Sequence, residues 1–579
     1  MARSVLGTLR PMADYPAPVE TTVGTVIPEE IHVLFPPGGM DMSANAYNIP
    51  ANVAQHTFNM VPYRDSWRSR HGTARIGDTT TSILLHARNF TTSAGANYTI
   101  RWTDTGVEYL DGSTTWRAMT GPTLTGNEAT RIAETAWGDL LIFSNGVDGM
   151  HAINFTSKTY TLITNAPNAC HLSTFNRRVV ASVVATGRIQ WCTAGDYTNW
   201  TATELGAGYE DLLSSEASTG AEQQSAVIPV SDEVAYAIRS GSIWQMVPTR
   251  QVGNPFAFSL LVATSGSRWP NSCCAIPGGA AFMSDLGIFL LRGGQLTEVS
   301  GPISSLWKDS DEVRFSRMAQ HRLREACLIY SPIDEALFFS DGNAADTAAD
   351  LAFNFSSVYR YHILRNVWSV ERYYWPIKSM SAATDRSLST IGDFGASATI
   401  ADFSPLGVIG DLGVSQYQYG VMYTRGYVSG STNRFVARQA PERSRTPDAF
   451  DVLTDGSDGS IDSFADVITH LIRPRDASRV THIHDVTLVY QASVKTAGTH
   501  DMQYGLSVLT PKTTAFSVGP ATLPTPTQRF ETTAITVPVN RQCEMPYLAI
   551  IFYYPCELRL LDVIVRVSEG ARISETRLP

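Results

Sequence analysis

Residues 130–164 read TRIAETAWGDLLIFSNGVDGMHAINFTSKTYTLIT. Four runs of apolar, β-branched and aromatic residues (TRIAETA, DLLIFSN, MHAINF, TYTLIT) are separated by Gly-, Asn-, Asp- and Ser-rich breaks. Such runs between turn residues read as short antiparallel strands joined by tight hairpins. A sheet of four strands cannot bury both its faces alone, so the unit has to be stacked against others of its kind.

The same grouping recurs on both sides. SILLHA, YTIRWT, GVEYL and TTWRAM fall within 82–119, and ACHLSTF, RRVVASVVA, RIQWCTA and TNWTATE within 169–204. QSAVIPV, EVAYAIRS, SIWQMVP and FAFSLLVA follow in 224–263, then CCAIPG, GAAFMSD, GIFLLRG and QLTEVSG in 273–301. The next group, 326–372, holds ACLIYSP, EALFFSDG, SVYRYHI and NVWSVER. A last, irregular one over 377–425 holds IKSMSAA, SLSTIGDF, ATIADFS and QYGVMYTR. Four strands every 40–50 residues or so is the period of propeller blades. The sequence therefore predicts an all-β chain in three parts: an extended N-terminal arm (1–77), a β-propeller of about seven blades (78–425) and a C-terminal β-sandwich (434–579). One helical stretch, SSLWKDSDEVRFSRMAQHRL (304–323), reads as a connector between blades, capped at Asp309 or Ser310.

Composition narrows the function. The 579 residues carry a formal charge of −10, and Lys occurs at only five positions. A protein that grips duplex DNA needs a basic surface to neutralise phosphates. The seven cysteines (170, 192, 273, 274, 327, 543, 556) show no CxxC spacing, which argues against a zinc site. No cofactor is expected. The first residues lack the apolar core of a signal peptide, and no apolar run of about 20 residues could span a membrane, so no membrane insertion is expected.

Motifs of catalysis are missing from the text of the sequence: neither GxSxG, HExxH nor a Walker lysine loop occurs. In YLDGSTTW (109–116) and AGDYTNW (194–200) an acidic turn precedes a Trp. An Asp there can bond the backbone two residues on and close the turn, with Trp116 or Trp200 covering it. The functional counterpart is the Asp-box of sialidase-like propellers, itself structural. His482 and His484 alternate on a strand and share a face, with Asp485 on the other; a bland pair of strand histidines outweighs a metal site that has no third ligand.

The segment FPPGGMDMSANAYNIPANVAQHTFNMVPYRDSWRSRHGTARIG (35–77) is more specific. Gly38-Gly39-Met40-Asp41 leads to Ile49-Pro50, Ala54 and Asn59, and a turn leads to Arg68, Arg70 and Gly72. This layout resembles the opening of the tail nozzle, or packaged-DNA stabilisation, proteins of short-tailed bacteriophages. RIQWCTAGDYTNW (188–200), TLVYQASV and DVIVRV extend the resemblance, although Met40-Asp41 stands where the family more often has Leu-Asn. The resemblance implies a non-enzymatic virion protein, assembled in the host cytoplasm. It would form a six-membered homo-oligomeric ring below the tail adaptor protein, contact tail fibre or needle proteins, and pass double-stranded DNA. An acidic wall suits a conduit, because it repels the sliding duplex where a basic one would hold it.

Two long turns are the expected channel lining. One carries Asp341, Asp346 and Asp350; the other carries Asp393, Asp402 and Asp411, with Phe403, Leu406, Val408 and Ile409 as a constriction. An ordinary solvent-facing loop is the competing reading of each. In the arm, Phe35, Met40, Met42, Tyr47 and Phe58 are the expected contacts to a neighbouring subunit, the alternative being that the arm wraps its own propeller. The reading from a different class is a propeller-type carbohydrate-active hydrolase or carbohydrate-binding protein.

Overall fold

The computed structural model describes residues 28–33, 38–43, 49–50, 52–70, 72–111, 115–184, 188–212, 224–249, 251–267, 269–307, 326–340, 356–373, 375–382, 421–425, 434–440, 463–469, 472, 479–492, 503–510, 514–523, 532–543, 546–554 and 558–572. Seven four-stranded antiparallel sheets account for the middle of the chain. They are the blades of a β-propeller. Blade 1 runs from Leu84–Thr91 to Thr115–Ala118, blade 2 from Ala133–Trp137 to Thr159–Leu162, and blade 3 from Ala169–Phe175 to Gly208–Glu210. Blade 4 runs from Gln224–Pro229 to Phe256–Val262, blade 5 from Cys273–Ile276 to Gln295–Glu298, and blade 6 from Cys327–Ser331 to Val367–Tyr373.

The seventh blade closes the circle. It joins Ile377–Ala382, Val421–Arg425 and Arg434–Ala440 to a strand from the other end of the chain, Gly72–Thr80. The first strands of successive blades are neighbours around the axis, and Ile377–Ala382 of blade 7 lies beside Leu84–Thr91 of blade 1. Aromatic and β-branched side chains fill the space between blades. Trp102, Phe143, Phe155 and Tyr160 pack between blades 1 and 2; Leu337, Phe339, Tyr359 and Trp368 of blade 6 pack against Met283 and Ile288 of blade 5.

The boundaries read from the sequence each fall one strand away. Gly72–Thr80 crosses the expected limit at 77/78, and Arg434–Ala440, assigned to the sandwich, is the third strand of blade 7. In blade 3 the outer strand is Gly208–Glu210, whereas TNWTATE forms turns and a short 3-10 helix at Thr203–Leu205. The expected helix over 304–323 begins as 3-10 at Gly301–Leu306; Asp309, Ser310 and the rest of it lie outside the described residues.

Two larger sheets form the sandwich. One has the order Met60–Tyr63, Ser66–Ser69, Leu558–Arg572, Arg479–Ala492, Thr532–Cys543, with Glu29–Val33 also on Leu558–Arg572. The other has the order His56–Phe58, Ser463–Ile468, Tyr547–Tyr554, Gln503–Leu509, Thr514–Thr522. Their facing side chains, including Trp67, Val486, Leu488, Tyr490, Leu506, Ile550, Phe552, Val563 and Val565, make one core. The arm is thus four added strands, built into both sheets of the sandwich before it reaches blade 7.

Ile76 and Val436 pack with Leu84, Ala87 and Met422 where the circle closes. Ile76→Ala is expected to cost about 3 kcal/mol by leaving a cavity at that seam. The exposed Ile333→Ala should stay within about 0.5 kcal/mol of the parent in the same urea titration.

Candidate functional site

The inner strands of six blades converge on a cavity of about 180 Å³ at the propeller axis. Its polar lining comes one to three residues per blade: His86; Arg131 and Glu134; Cys170 and His171; Asn271, Cys273 and Cys274; Cys327; and Ser379. Glu134 is locked. Burial pushes its carboxyl up, but Arg88 (2.6 Å) and His86 (3.4 Å) outweigh that and bring it to about 2. His86 is itself held by Ser379 Oγ at 3.0 Å, which bonds Thr424 Oγ1 at 2.7 Å.

The thiols are quenched rather than activated. Burial raises Cys170 to about 11 and Cys273 to about 12, and raises Cys274 as well. A protonated thiol is a poor nucleophile and a poor metal ligand. Burial also lowers His171 to about 4, so its ring is neutral. Among the described residues no group of three His, Cys, Asp or Glu is placed to hold a metal.

The second concentration of buried polar groups lies where the arm meets blade 6. Gly39 has φ +84°, and a Cβ there would stand 2.7 Å from Val367 Cβ. Beside it Met40 N donates to Trp368 O (2.9 Å), Ala54 N to Gly39 O (2.9 Å) and Met42 N to Pro302 O (2.7 Å). Asn59 also adopts the left-handed region, at φ +59°. Its N–H donates to Val370 O at 2.9 Å. Its Oδ1 accepts both Arg372 N (2.7 Å) and Arg70 Nε (2.8 Å). Arg70 Nη2 reaches Arg372 O at 3.0 Å, and the guanidinium lies 4.6 Å from the Tyr373 ring centre. Tyr373 passes the network on, donating to Glu371 Oε2 at 2.6 Å and meeting Tyr423 Oη of blade 7 at 2.9 Å. Arg372 covers Phe58 at 3.4 Å, and His56 stands edge-on to Phe58 at 3.9 Å.

The expected site residues fall as follows. Met40 and Phe58 are 2% and 4% exposed and belong to the core shared with blades 5 and 6; Met42 is half-buried against the same core. Met40 and Phe58 thus face their own propeller and not a neighbouring subunit, because an apolar segment beside an open blade edge is buried at once. Phe35 and Tyr47 lie outside the described residues, as do Asp341, Asp346, Asp350, Asp393, Asp402, Asp411, Phe403, Leu406, Val408 and Ile409. His482 and His484 do share a face, with rings 4.5 Å apart. His484 Nε2 bonds Ser568 Oγ at 2.8 Å, and Asp485 is taken by Arg566, whose Nε lies 2.9 Å from Oδ2. The Asp of GDYTNW closes its turn: Asp196 Oδ1 accepts Thr198 N at 2.9 Å and Thr198 Oγ1 at 2.6 Å, with Trp200 buried beside it. Trp116 covers Ile76–Gly77, donating to Ile76 O at 3.3 Å, while Asp111 pairs with Arg117.

The axial residues escaped the sequence reading, since no two blades share a motif. The usable signal was positional: each sits in or just before the first strand of a group.

No family model matches the chain, and no curated protein does. Solved structures similar to it include virginiamycin B lyase from Staphylococcus aureus, as an inactive variant with quinupristin, at 10% identity over 53% of this chain and 92% of that one, with a TM-score of 0.33. BamB from Moraxella catarrhalis is similar at 11% identity over 58% and 92%, with a TM-score of 0.29. The WD40 domain of SCAP from fission yeast is similar at 8% identity over 62% and 84%, with a TM-score of 0.28.

Arg70 is 6% exposed and its charged hydrogen bonds have no substitute. Arg70→Ala should lower stability by about 3 kcal/mol and open the arm to protease. His56 is pushed down to about 3, chiefly by burial and then by Arg372. It is neutral when folded and titrates near 6.5 when unfolded, so its contribution is full above about pH 6.5 and is lost as pH falls toward 3. His56→Phe should flatten the stability–pH curve over that window, measured by urea titrations at stepped pH.

Proposed function

We propose that this chain is a structural subunit of a short-tailed phage's tail nozzle, a wall segment of a ring that conducts and retains DNA. The observation that carries the reading is the arm joint. Gly39, Asn59, Arg70 and Gly72, members of the motif that resembles the nozzle family, all lie where arm, blade 6 and blade 7 are fastened together. A motif spent on rigidity rather than on a reactive centre suits a load-bearing wall.

The axial cavity supports the same choice. A duplex does not fit it, so the conduit of this reading lies between copies and not through the propeller. For a carbohydrate-active hydrolase the usual requirement is two carboxylates flanking the sugar. Glu134 is the one carboxylate lining this cavity among the described residues, and it is committed to Arg88 and His86.

Mass measurement and electron microscopy of the native particle test the proposal. The expected result is a closed ring of six 63.2 kDa chains, labelled at the tail tip by antibody. Replacing Asp341, Asp346 and Asp350 together by Asn should change DNA retention or the ejection rate. A monomer that cleaves glycosides, or a particle whose tail carries no copy, would overturn the reading.

A further inference from the structure

The sandwich carries the arm strands along one side, sealed where His56–Phe58 and Met60–Tyr63 lie against Val367–Tyr373 of blade 6, and carries none among the described residues along the other, which is open. On the sealed side the arm strands Glu29–Val33 and Ser66–Ser69 add to Leu558–Arg572, and His56–Phe58 adds to Ser463–Ile468. On the open side both sheets end, at Thr532–Cys543 and Thr514–Thr522, and these two strands approach each other. Neither has a second partner strand among the described residues.

Three observations mark this as an interaction edge. Thr532–Cys543 (TTAITVPVNRQC) has only Arg541 as a charged residue; Thr514–Thr522 (TAFSVGPAT) has none, but is guarded by Pro520 and by register shifts against Gln503–Leu509. Natural edges are usually guarded by charge, proline or a bulge; Pro538 guards the distal half of Thr532–Cys543 and leaves 532–537 bare. The core is also incompletely covered here. Of the six half-buried hydrophobic residues around it, Ala515, Phe516, Val518, Ala521 and Ile535 all belong to these two strands. Finally, the sealed side shows what such an edge accepts, which is extended segments of the arm itself.

We infer that the edge 532–537 takes the segment 21–27 of a second copy of this chain as an added strand, so that ring neighbours exchange strands. TTVGTVI (21–27) is uncharged and rich in Thr and Val, as is TTAITV (532–537). Such strands suit a half-exposed sheet, and cross-strand Thr–Thr pairs stabilise it; Thr536 already makes one with Thr487 at 2.9 Å. The segment leads straight into Glu29–Val33, which occupies the opposite side of the same sheet. One chain therefore presents a strand beyond its sealed side and an acceptor at its open side, the head-to-tail arrangement that generates rings. The inference rests on the ring reading and specifies its contact.

The test compares particle masses of the full chain with those of two kinds of full-length variant. Val23→Lys with Val26→Lys spoils the donor strand. Thr533→Pro and Ala534→Pro probe the acceptor: N–H groups alternate along an antiparallel strand, so one of the two removes an outward donor and spares the ladder to Arg479–Ala492. The expected result is a ring for the parent and monomers with native circular dichroism for the donor variant and for one proline variant. A labelled peptide of residues 16–29 should bind the donor variant and bind at least tenfold more weakly once that proline is added. Rings that survive the donor change, or a peptide that does not bind, overturn the inference while leaving the ring reading intact. A parent that is monomeric at every concentration, with a donor variant that binds the peptide, means the segment closes on its own sheet and overturns the exchange, while the native particle decides the ring reading separately.

Discussion

The rest of the molecule depends on one side-chain carbonyl, Asn59 Oδ1, shared between the backbone of Arg372 and the guanidinium of Arg70. Propeller blades are alike in kind, and nothing in a stack of sheets says where the circle should end. Here the end is set by a strand that arrives from the sandwich. Asn59 fixes the arm against the outer strand of blade 6, and Arg70 ties the returning chain to the same point. Two residues later the strand Gly72–Thr80 begins and completes blade 7. Burying an arginine there is tolerable because its donors meet oxygens and its flat face meets the Tyr373 ring.

The same joint makes propeller and sandwich interdependent. Trp368 packs its ring in the core between blades 5 and 6, gives its Nε1–H to Val299 O at 2.7 Å, and offers its own carbonyl to Met40. Glu371, Tyr373 and Tyr423 carry the polar contact from blade 6 into blade 7, and burial, then Glu371, raises both tyrosine hydroxyls well above their ordinary range. The two hydroxyls therefore stay protonated and serve as hydrogen-bond donors between the blades. The axial cavity follows the same pattern, with an ion pair and buried thiols arranged to hold inner strands together.

Much of this was legible in the sequence where structure is local. In blades 1, 2, 4, 5 and 6 the four apolar runs match the four strands, because hairpin pairing is decided by neighbouring turns. The reading slipped where pairing is not local. TNWTATE looked like the fourth strand of blade 3 by its Trp and Thr content, yet Asp196 and Asn199 capture nearby N–H groups and hold it in turns. Blade 7 borrows its last strand from 72–80, which no window along the chain could reveal. Met40, Met42 and Phe58 were recognised as contact residues, but a sequence cannot say whether the surface they meet is their own. The axial cavity was invisible for another reason: its members are set by position in a repeat whose residues do not repeat.

The pairing of Gly72–Thr80 with Arg434–Ala440 also imposes an order on biogenesis. Translation delivers the two partners about 360 residues apart, an interval of roughly 20–70 s at 5–20 residues per second. By its end the nascent chain carries six blades with no keystone, and an arm whose strands Glu29–Val33 and His56–Phe58 still wait for partners in the last stretch to leave the ribosome. A hindered exit or a premature stop would release an open arc with two raw ends, so the cell would meet this protein either finished or as a substrate for its chaperones.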